Sequence, residues 1–143
     1  MDYEEEKRKY ISFYGSYCKK CPWFTGLIRE TFKKARKVFE EYGLVRFIRD
    51  DIDVGKFLHA LEILRNLGIC SGCKAEIKQK PEEDRCKIRQ CAYSWGVQLC
   101  VECDNFPCDL LKSHLGVIKF GCIDNLIEIK EKGLKWWIDK QWL

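Results

Sequence analysis

The sequence lacks the segments that would indicate a membrane protein, a secreted protein or a common enzyme class. No apolar run approaches the roughly 20 residues that a membrane-spanning helix requires, and residues 1–9 are too charged for the core of a signal peptide. The chain contains no P-loop, no G-x-G-x-x-G, no H-E-x-x-H and no G-x-S-x-G. We therefore expect a cytoplasmic protein that does not contact a membrane and is more readily a binding protein than an enzyme.

Histidine is also scarce, whereas cysteine is abundant. The 143 residues include two histidines and ten cysteines, and 46% of them are hydrophobic. This length and composition suit a single cysteine-rich domain over residues 1–143, with residues 1–12 frayed or weakly helical. Because thiols stay reduced in the cytosol, these cysteines are expected to be ligands before disulfides, with hyperthermophile hosts as the exception.

Nine of the cysteines have spacings that are typical of metal sites, and six of the nine form three C-x2-C pairs. In such a pair the turn of the backbone lets two thiolates bind one ion, and four thiolates make a closed tetrahedral site. The tenth, Cys122, has no cysteine close to it in the sequence and is expected to be a small buried residue. The predicted metal ligands are Cys18, Cys21, Cys70, Cys73, Cys86, Cys91, Cys100, Cys103 and Cys108.

Two arrangements of these ligands remain open. Loop-closure entropy favours one site from the four cysteines within residues 70–91, because they are nearest in sequence. The second site would then combine the N-terminal pair with Cys100 and Cys103, and Cys108 would be spare or would replace one of these two. Interleaved pairing is the rival, since Cys86 and Cys91 diverge by about 140° on a regular helix.

Apolar periodicity predicts a mainly α-helical fold with little or no β-structure, built around cysteine-rich metal-binding knuckles. Helical stripes cover residues 26–42, 54–68, 86–95, 105–116 and 122–132. Asp53 is the predicted N-cap of the second, and Pro107 is expected in the first turn of the fourth, which places Cys108 at a helix N-terminus. Residues 74–85 are polar and predict a loop. Trp136, Trp137 and Trp142 are expected to cover the core, and an exposed patch that binds a partner is the alternative.

The charge of the chain argues only weakly for nucleic acid as a partner. The formal net charge is +4, but each zinc ion held by four thiolates contributes −2. Two such sites would bring the total to zero. Both histidines, His59 and His114, are expected to be packed or surface residues rather than ligands.

The order of the cysteine motifs resembles domain-of-unknown-function family 3795, a group of small cysteine-rich prokaryotic proteins. The matching segments include G-S-Y-C-K-K-C-P at residues 15–22, C-S-G-C at 70–73 and C-K-I-R-Q-C-A at 86–92. They continue with G-V-Q-L-C-V-E-C at 96–103 and P-C at 107–108. Many members begin with C-G-x-x-C-x-x-C, and Tyr14 stands here in place of the first cysteine. The resemblance implies a metal-binding fold and no established activity.

The functional hypothesis is a non-enzymatic protein in which two zinc ions, each bound by four cysteines, stabilise a helical interaction module with a protein partner. The alternative is an iron–sulfur protein that acts as a redox carrier or sensor, because four cysteines suit a cluster as well as zinc. Against it, the C-x2-C-x2-C run is missing. An enzyme with Cys108 as reactive thiol lacks a supporting histidine and acid.

Overall fold

The structure, a computed structural model, describes residues 1–75 and 83–143. The polar loop expected over residues 74–85 lies mostly outside these ranges. Of the described residues 64% are helical and none is in a strand, as the periodicity predicts. The α-helices are α1 (Tyr3–Tyr10), α2 (Pro22–Thr25), α3 (Leu27–Glu41), α4 (Val45–Ile48), α5 (Val54–Arg65), α6 (Lys87–Trp95), α7 (Asp109–Ser113), α8 (Leu115–Lys119), α9 (Cys122–Lys132) and α10 (Leu134–Lys140).

The chain forms two compact units. Unit 1 combines Met1–Cys21 with Ser71–Leu143, and unit 2 is the intervening Pro22–Cys70. The single-domain organisation expected from the length stays a prediction. No helix in the described ranges has the length and apolar character needed to cross a membrane.

Unit 2 is built on the pairing of α3 with α5. The rings of Phe39 and Phe57 lie 5.0 Å apart at this contact, and Arg36 forms an ion pair with Glu62 across it. Asp53 caps α5 as predicted, because its Oδ1 atom accepts a hydrogen bond from the Lys56 amide at 3.1 Å. The apolar spacing of residues 26–42 predicts a helix, which α3 confirms; Phe39 of this stripe is buried, whereas Tyr42 is 70% exposed.

The core of unit 1 lies among α6, α7, α9, α10 and the segment after α1. Its fully buried side chains include Ile11, Leu126 and Ile138. Cys122 is also fully buried, as expected from its isolated position in the sequence. Of the three C-terminal tryptophans Trp137 is buried in the core. Trp142 is 50% exposed, but its ring contacts that of the buried Tyr17, and Trp136 is 40% exposed.

A buried carboxylate anchors α1 to the first cysteine turn. Glu6 is 6% exposed, and its Oε2 atom accepts a hydrogen bond from the Tyr17 hydroxyl at 2.5 Å. Its other oxygen pairs with Lys19. Burial by itself would raise the pKa of Glu6, but the hydrogen bonds from Lys19 and Tyr17 outweigh it and hold that pKa below the usual range.

The helix predicted over residues 105–116 is shorter and is split. Cys108 has an extended backbone and is the N-cap of α7, so Pro107 lies before the helix rather than in its first turn. The helix ends at Ser113, because His114 is extended and begins α8 by accepting a hydrogen bond at Nδ1 from the Val117 amide. Cys108 therefore does lie at a helix N-terminus, as expected.

Candidate metal centre

Four of the predicted ligands line one small cavity in unit 1, which we call the thiol cavity. It encloses about 30 Å³, and apart from the cysteines its wall is apolar, with Leu111 and Phe106 among the lining residues. The cysteines come from three segments of the chain: α6, the second C-x2-C turn and the start of α7. These four are Cys91, Cys100, Cys103 and Cys108.

The second C-x2-C pair owes its position to a tight turn. Cys100–Glu102 forms a 3₁₀ turn, and the Cys103 amide donates to the carbonyl oxygen of Cys100 at 3.1 Å. The Glu102 carboxylate accepts from the amides of Gln98 and Leu99 at 3.0 and 3.3 Å. These bonds satisfy the two amides that open the turn and so stabilise it.

Cys91 and Cys108 reach the same cavity from helices. Cys91 lies in α6, which begins at its N-cap Cys86 and ends at Gly96, where φ is +65°. Cys108 is the N-cap of α7. The Phe106 amide donates to the carbonyl oxygen of Cys103 at 3.1 Å, which ties the C-x2-C turn to the segment that leads to Cys108.

The thiols of the cavity influence one another electrostatically. Burial, followed by the nearby Cys108, Cys91, Cys103 and Cys86 in that order, raises the pKa of Cys100 to about 12. Burial also raises the pKa of Cys91, with contributions from Cys108 and Cys103. Because a thiolate is disfavoured by burial and by other negative charges, these shifts are those of thiols that crowd into one low-polarity space.

The four thiols share a cavity but do not yet form a coordination sphere. Within residues 1–75 and 83–143, no group of three or more His, Cys, Asp or Glu side chains is arranged so that it could hold a metal ion as it stands. The chemistry of the donor set nevertheless fits a thiophilic metal, because four sulfur donors with few competing oxygens select zinc or iron–sulfur chemistry over magnesium or calcium.

The cavity brings Cys91 and Cys108 beside the second C-x2-C pair, whereas sequence proximity predicts one site from the four cysteines within residues 70–91; which cysteines share an ion stays a prediction. Cys91 lines the cavity with the C-terminal cysteines and Cys86 does not, although Cys86 is close enough to Cys100 to raise the pKa of that thiol. Cys108 lines the cavity together with both cysteines of the second turn, and the expectation that it is spare or replaces one of them stays a prediction. The entropy cost of closing a loop depends on the number of residues between two ligands. It does not depend on the side of a helix on which each ligand lies.

Cys73 and Cys86 lie in a second cysteine neighbourhood of unit 1, centred on Tyr14 and Arg89. The Tyr14 hydroxyl and the Cys73 sulfur are 3.3 Å apart and share a hydrogen bond. Burial raises the pKa of Tyr14, and Cys73 and then Cys86 raise it further. Arg89 donates to the Cys73 carbonyl oxygen at 3.1 Å. Tyr14 therefore occupies a position beside two of the predicted ligands.

An ion pair connects these two cysteines through the backbone. The Asp84 Oδ1 atom accepts from the Cys86 amide at 2.9 Å and from Arg89 at 2.7 Å. The pKa of Asp84 is lowered, chiefly by Arg89, and that of Arg89 is raised, chiefly by Asp84. Sequence analysis did not assign a role to this pair, although Arg89 lies within the C-K-I-R-Q-C motif and Asp84 just before it.

The first C-x2-C pair has the same local turn as the second. Cys18–Lys20 is a 3₁₀ turn, and the Cys21 amide donates to the carbonyl oxygen of Cys18 at 2.9 Å. Cys18 is buried and Cys21 is half-buried. This pair lies outside the wall of the thiol cavity, and it therefore serves as a matched comparison for Cys100 and Cys103.

Cys70, Cys122 and the two histidines do not line the thiol cavity. Cys70 belongs to unit 2, where its amide donates to the Trp23 carbonyl oxygen at 3.0 Å. Burial, together with a smaller contribution from Cys73, raises the pKa of Cys122 to about 11. Both histidines are exposed. All ten cysteines lie in the described part of the chain, and each is present as a thiol.

Comparison with known proteins identifies a family and nothing closer. No curated protein and no solved structure matches the chain. The family model described as a protein of unknown function, DUF3795, matches residues 10–113. This segment includes the thiol cavity, the first C-x2-C pair and the neighbourhood of Tyr14, and it extends over more than half of the chain. The chain therefore belongs to the DUF3795 family.

Proposed function

We propose that the protein is a non-enzymatic zinc-binding module in which Cys91, Cys100, Cys103 and Cys108 hold one Zn²⁺ ion as thiolates. The observation that supports this is the meeting of four thiols from three chain segments at one apolar cavity. Coordination requires the thiols to turn inward about their Cα–Cβ bonds and to lose their protons. Four thiolates then complete the tetrahedron and leave no open position for substrate, which is the arrangement of structural sites.

The size of the cavity favours a single ion over an iron–sulfur cluster. A volume of about 30 Å³ corresponds to space for about two water molecules. One zinc ion with Zn–S distances of about 2.3 Å fits such a space after small side-chain rotations. A cluster adds its own iron and sulfide atoms and would require the wall to move apart.

The ion would join α6, the 3₁₀ turn and α7, which are short elements. α7 has only five residues, and an isolated helix of that length is unstable in water. The bound metal would therefore supply stability that the local sequence does not, and metal binding would be part of folding. The expectation of a second zinc ion stays a prediction, since in the described ranges one set of four thiols surrounds one cavity.

An interaction role is supported by the apolar surface of α8. Leu115 is 82% exposed, Phe120 69% and Ile118 57%. These residues lie in or directly after α8, which follows the helix capped by Cys108. Exposed apolar side chains grouped in this way are typical of surfaces that bind another protein. We propose that the zinc site holds α7, and through it α8, in position for such a partner.

Elemental analysis with an optical spectrum of protein purified without oxygen tests the metal. The proposal predicts colourless protein with zinc bound. Brown protein that contains iron and sulfide would contradict it and would support the redox alternative.

Serine variants with metal counted per chain test the grouping. Cys91→Ser and Cys103→Ser should each lose the ion of the thiol cavity. Cys21→Ser is the matched control, because its turn has the same backbone geometry but lies outside the cavity wall, and it should retain that ion. Cys122→Ala, a buried cysteine outside the ligand set, should retain all metal. The grouping is wrong if Cys21→Ser and Cys103→Ser remove the same ion, or if Cys91→Ser removes none.

A further inference from the structure

A second and larger cavity lies in unit 1, on the other side of Ala92 and Val97 from the thiol cavity. We call it the basic pocket. It encloses about 380 Å³ and is lined by residues of α1, α6 and the segment after α6, together with Phe13 and Lys74. This volume lies in the lower part of the range of small-molecule sites, about 300–1,000 Å³.

Two cations face the basic pocket. Arg8 comes from α1 and is exposed, whereas Lys74 is half-buried, with its ammonium group donating to the Lys7 carbonyl oxygen at 2.8 Å. Within the described ranges neither Arg8 nor Lys74 forms an ion pair with a carboxylate. The acid that acts on Lys74, Glu102, is engaged with two backbone amides. The pocket therefore presents positive charge that an anion can neutralise.

Aromatic rings form the apolar part of the wall. Phe13 is buried, and the Lys74 ammonium lies over its ring at 4.8 Å from the centroid. Tyr93 lies beside Phe13 with a centroid distance of 6.1 Å and is 36% exposed. Because the face of Phe13 is covered by the ammonium group, Tyr93 is the ring that offers surface to an incoming flat group.

We propose that the basic pocket binds a small aromatic oxyanion, with its phosphate or carboxylate group between Arg8 and Lys74 and its ring against Tyr93. The guanidinium fork of Arg8 suits both kinds of anion, since it can donate two parallel hydrogen bonds. Gln98 also lines the pocket, and its side-chain amide can form hydrogen bonds with polar atoms at the edge of the ligand's ring. An inorganic anion alone would leave the aromatic part of the wall without a contact. A neutral aromatic ligand would leave both cations without an anionic partner.

The basic pocket and the thiol cavity share a wall, but the basic pocket is not built from the predicted metal ligands. Ala92 and Val97 line both, and neither contributes a ligand atom to the metal. The basic pocket needs no thiolate, so its occupation and the zinc assignment can fail separately.

Calorimetric titration of the metal-loaded full chain tests the proposal with four probes. Adenosine monophosphate and indole-3-acetate represent the phosphate and carboxylate sources of the anion. Adenosine and inorganic phosphate represent the ring and the anion alone. We expect at least one aromatic anion to bind at one site with Kd of about 1 mM or tighter, and the two partial probes to bind about tenfold more weakly or worse. The proposal fails if neither aromatic anion saturates, or if adenosine or inorganic phosphate binds equally well.

Charge-removing variants locate the site. Arg8→Gln and Lys74→Gln should each weaken the bound probe by about tenfold or more, as expected for loss of a charge-assisted hydrogen bond. Lys130→Gln removes an equal charge from an exposed position of α9 and should change Kd less than twofold. If Lys74→Gln does not fold, Arg8→Gln decides, because Arg8 is exposed.

A ring variant separates stacking from the hydroxyl group. Tyr93→Phe keeps the ring and should retain the affinity within about threefold, whereas Tyr93→Ser should lose most of it. Equal affinity in Arg8→Gln and the unsubstituted protein, or in Tyr93→Ser and the unsubstituted protein, would place the ligand elsewhere and overturn the proposal.

Discussion

Removing zinc from the thiol cavity should reduce the stability of unit 1 by an amount that depends on the free metal concentration. The cavity lies against Leu111, which is 1% exposed, and Ala92, which is 3% exposed. Loss of the ion would therefore release segments that enclose the core. Because the unfolded chain does not hold the four thiolates together, binding free energy adds to folding free energy, and it amounts to about 10–16 kcal/mol in zinc-finger peptides.

The expected size of the effect follows from mass action. At a free zinc concentration 100 times Kd, the native state gains about 2.7 kcal/mol. Domains of about 60–100 residues shift in Tm by about 4–8 °C for each kcal/mol, so we expect an increase of about 11–22 °C over metal-free protein. Each further tenfold rise in free zinc should add about 1.4 kcal/mol, or about 6–11 °C.

Thermal unfolding in metal-buffered solutions, followed by circular dichroism, measures this dependence. Cys122→Ala should show the same slope of Tm against the logarithm of zinc concentration, because it lies outside the ligand set. Cys103→Ser should lose the part of this slope that is due to the ion of the thiol cavity. A verified metal-free sample with an unchanged Tm would refute the reasoning, as would an unchanged slope in Cys103→Ser.

Two further predictions concern the core of unit 1. Glu6→Gln should lower the free energy of unfolding by about 2 kcal/mol, because two hydrogen bonds to a buried charge lose their charge assistance. The control Glu4→Gln, at an exposed position, should lower it by less than about 0.5 kcal/mol. Urea denaturation measures both. Because the folded pKa of Glu6 is lowered, its contribution should be complete above the unfolded pKa of about 4.3 and disappear as pH falls through the folded pKa; an equal cost at pH 7 and pH 2 would contradict this. The Trp137 Nε1 atom is buried and has no hydrogen-bond partner among the described residues, so Trp137→Phe should cost less than about 2 kcal/mol, and Trp137→Ala about 3–5 kcal/mol, by the same measurement.

The long helices of this protein are predictable from sequence because their determinants are local. In α3 and α5 the apolar side chains recur every three or four residues, and Asp53 and Gly43 supply the start and stop signals. The break at His114 was not predicted, because the apolar pattern continues through it. α7 ends there because the backbone of His114 is extended, and the imidazole of His114 caps α8. Apolar periodicity does not reveal such a cap.

The candidate site is likewise only partly predictable from the sequence. Cysteine spacing identifies the chemistry of the ligands, since it depends on side chains a few residues apart. It does not identify which ligands share a cavity, because that depends on how the fold brings α6, the second C-x2-C turn and the start of α7 together. The basic pocket leaves still less trace in the sequence: Arg8, Lys74 and Tyr93 are far apart along the chain and belong to no motif. Only the fold brings these charges and this ring together.

The wall between the two cavities should couple their ligands, and this last prediction depends on both proposals. Ala92 and Val97 line the thiol cavity on one side and the basic pocket on the other, so an inward shift of Cys91 on α6 moves a residue that contacts the second ligand. A coupling free energy of about 1 kcal/mol, low in the usual range, corresponds to about fivefold in affinity. Competition with a chelator measures the zinc Kd with and without the bound aromatic anion, and titration of the anion measures its Kd at high and low zinc. Linkage requires both ratios to be equal. A zinc Kd that does not change when the probe saturates the basic pocket would show that the wall transmits nothing, and it would leave two independent sites on one small fold.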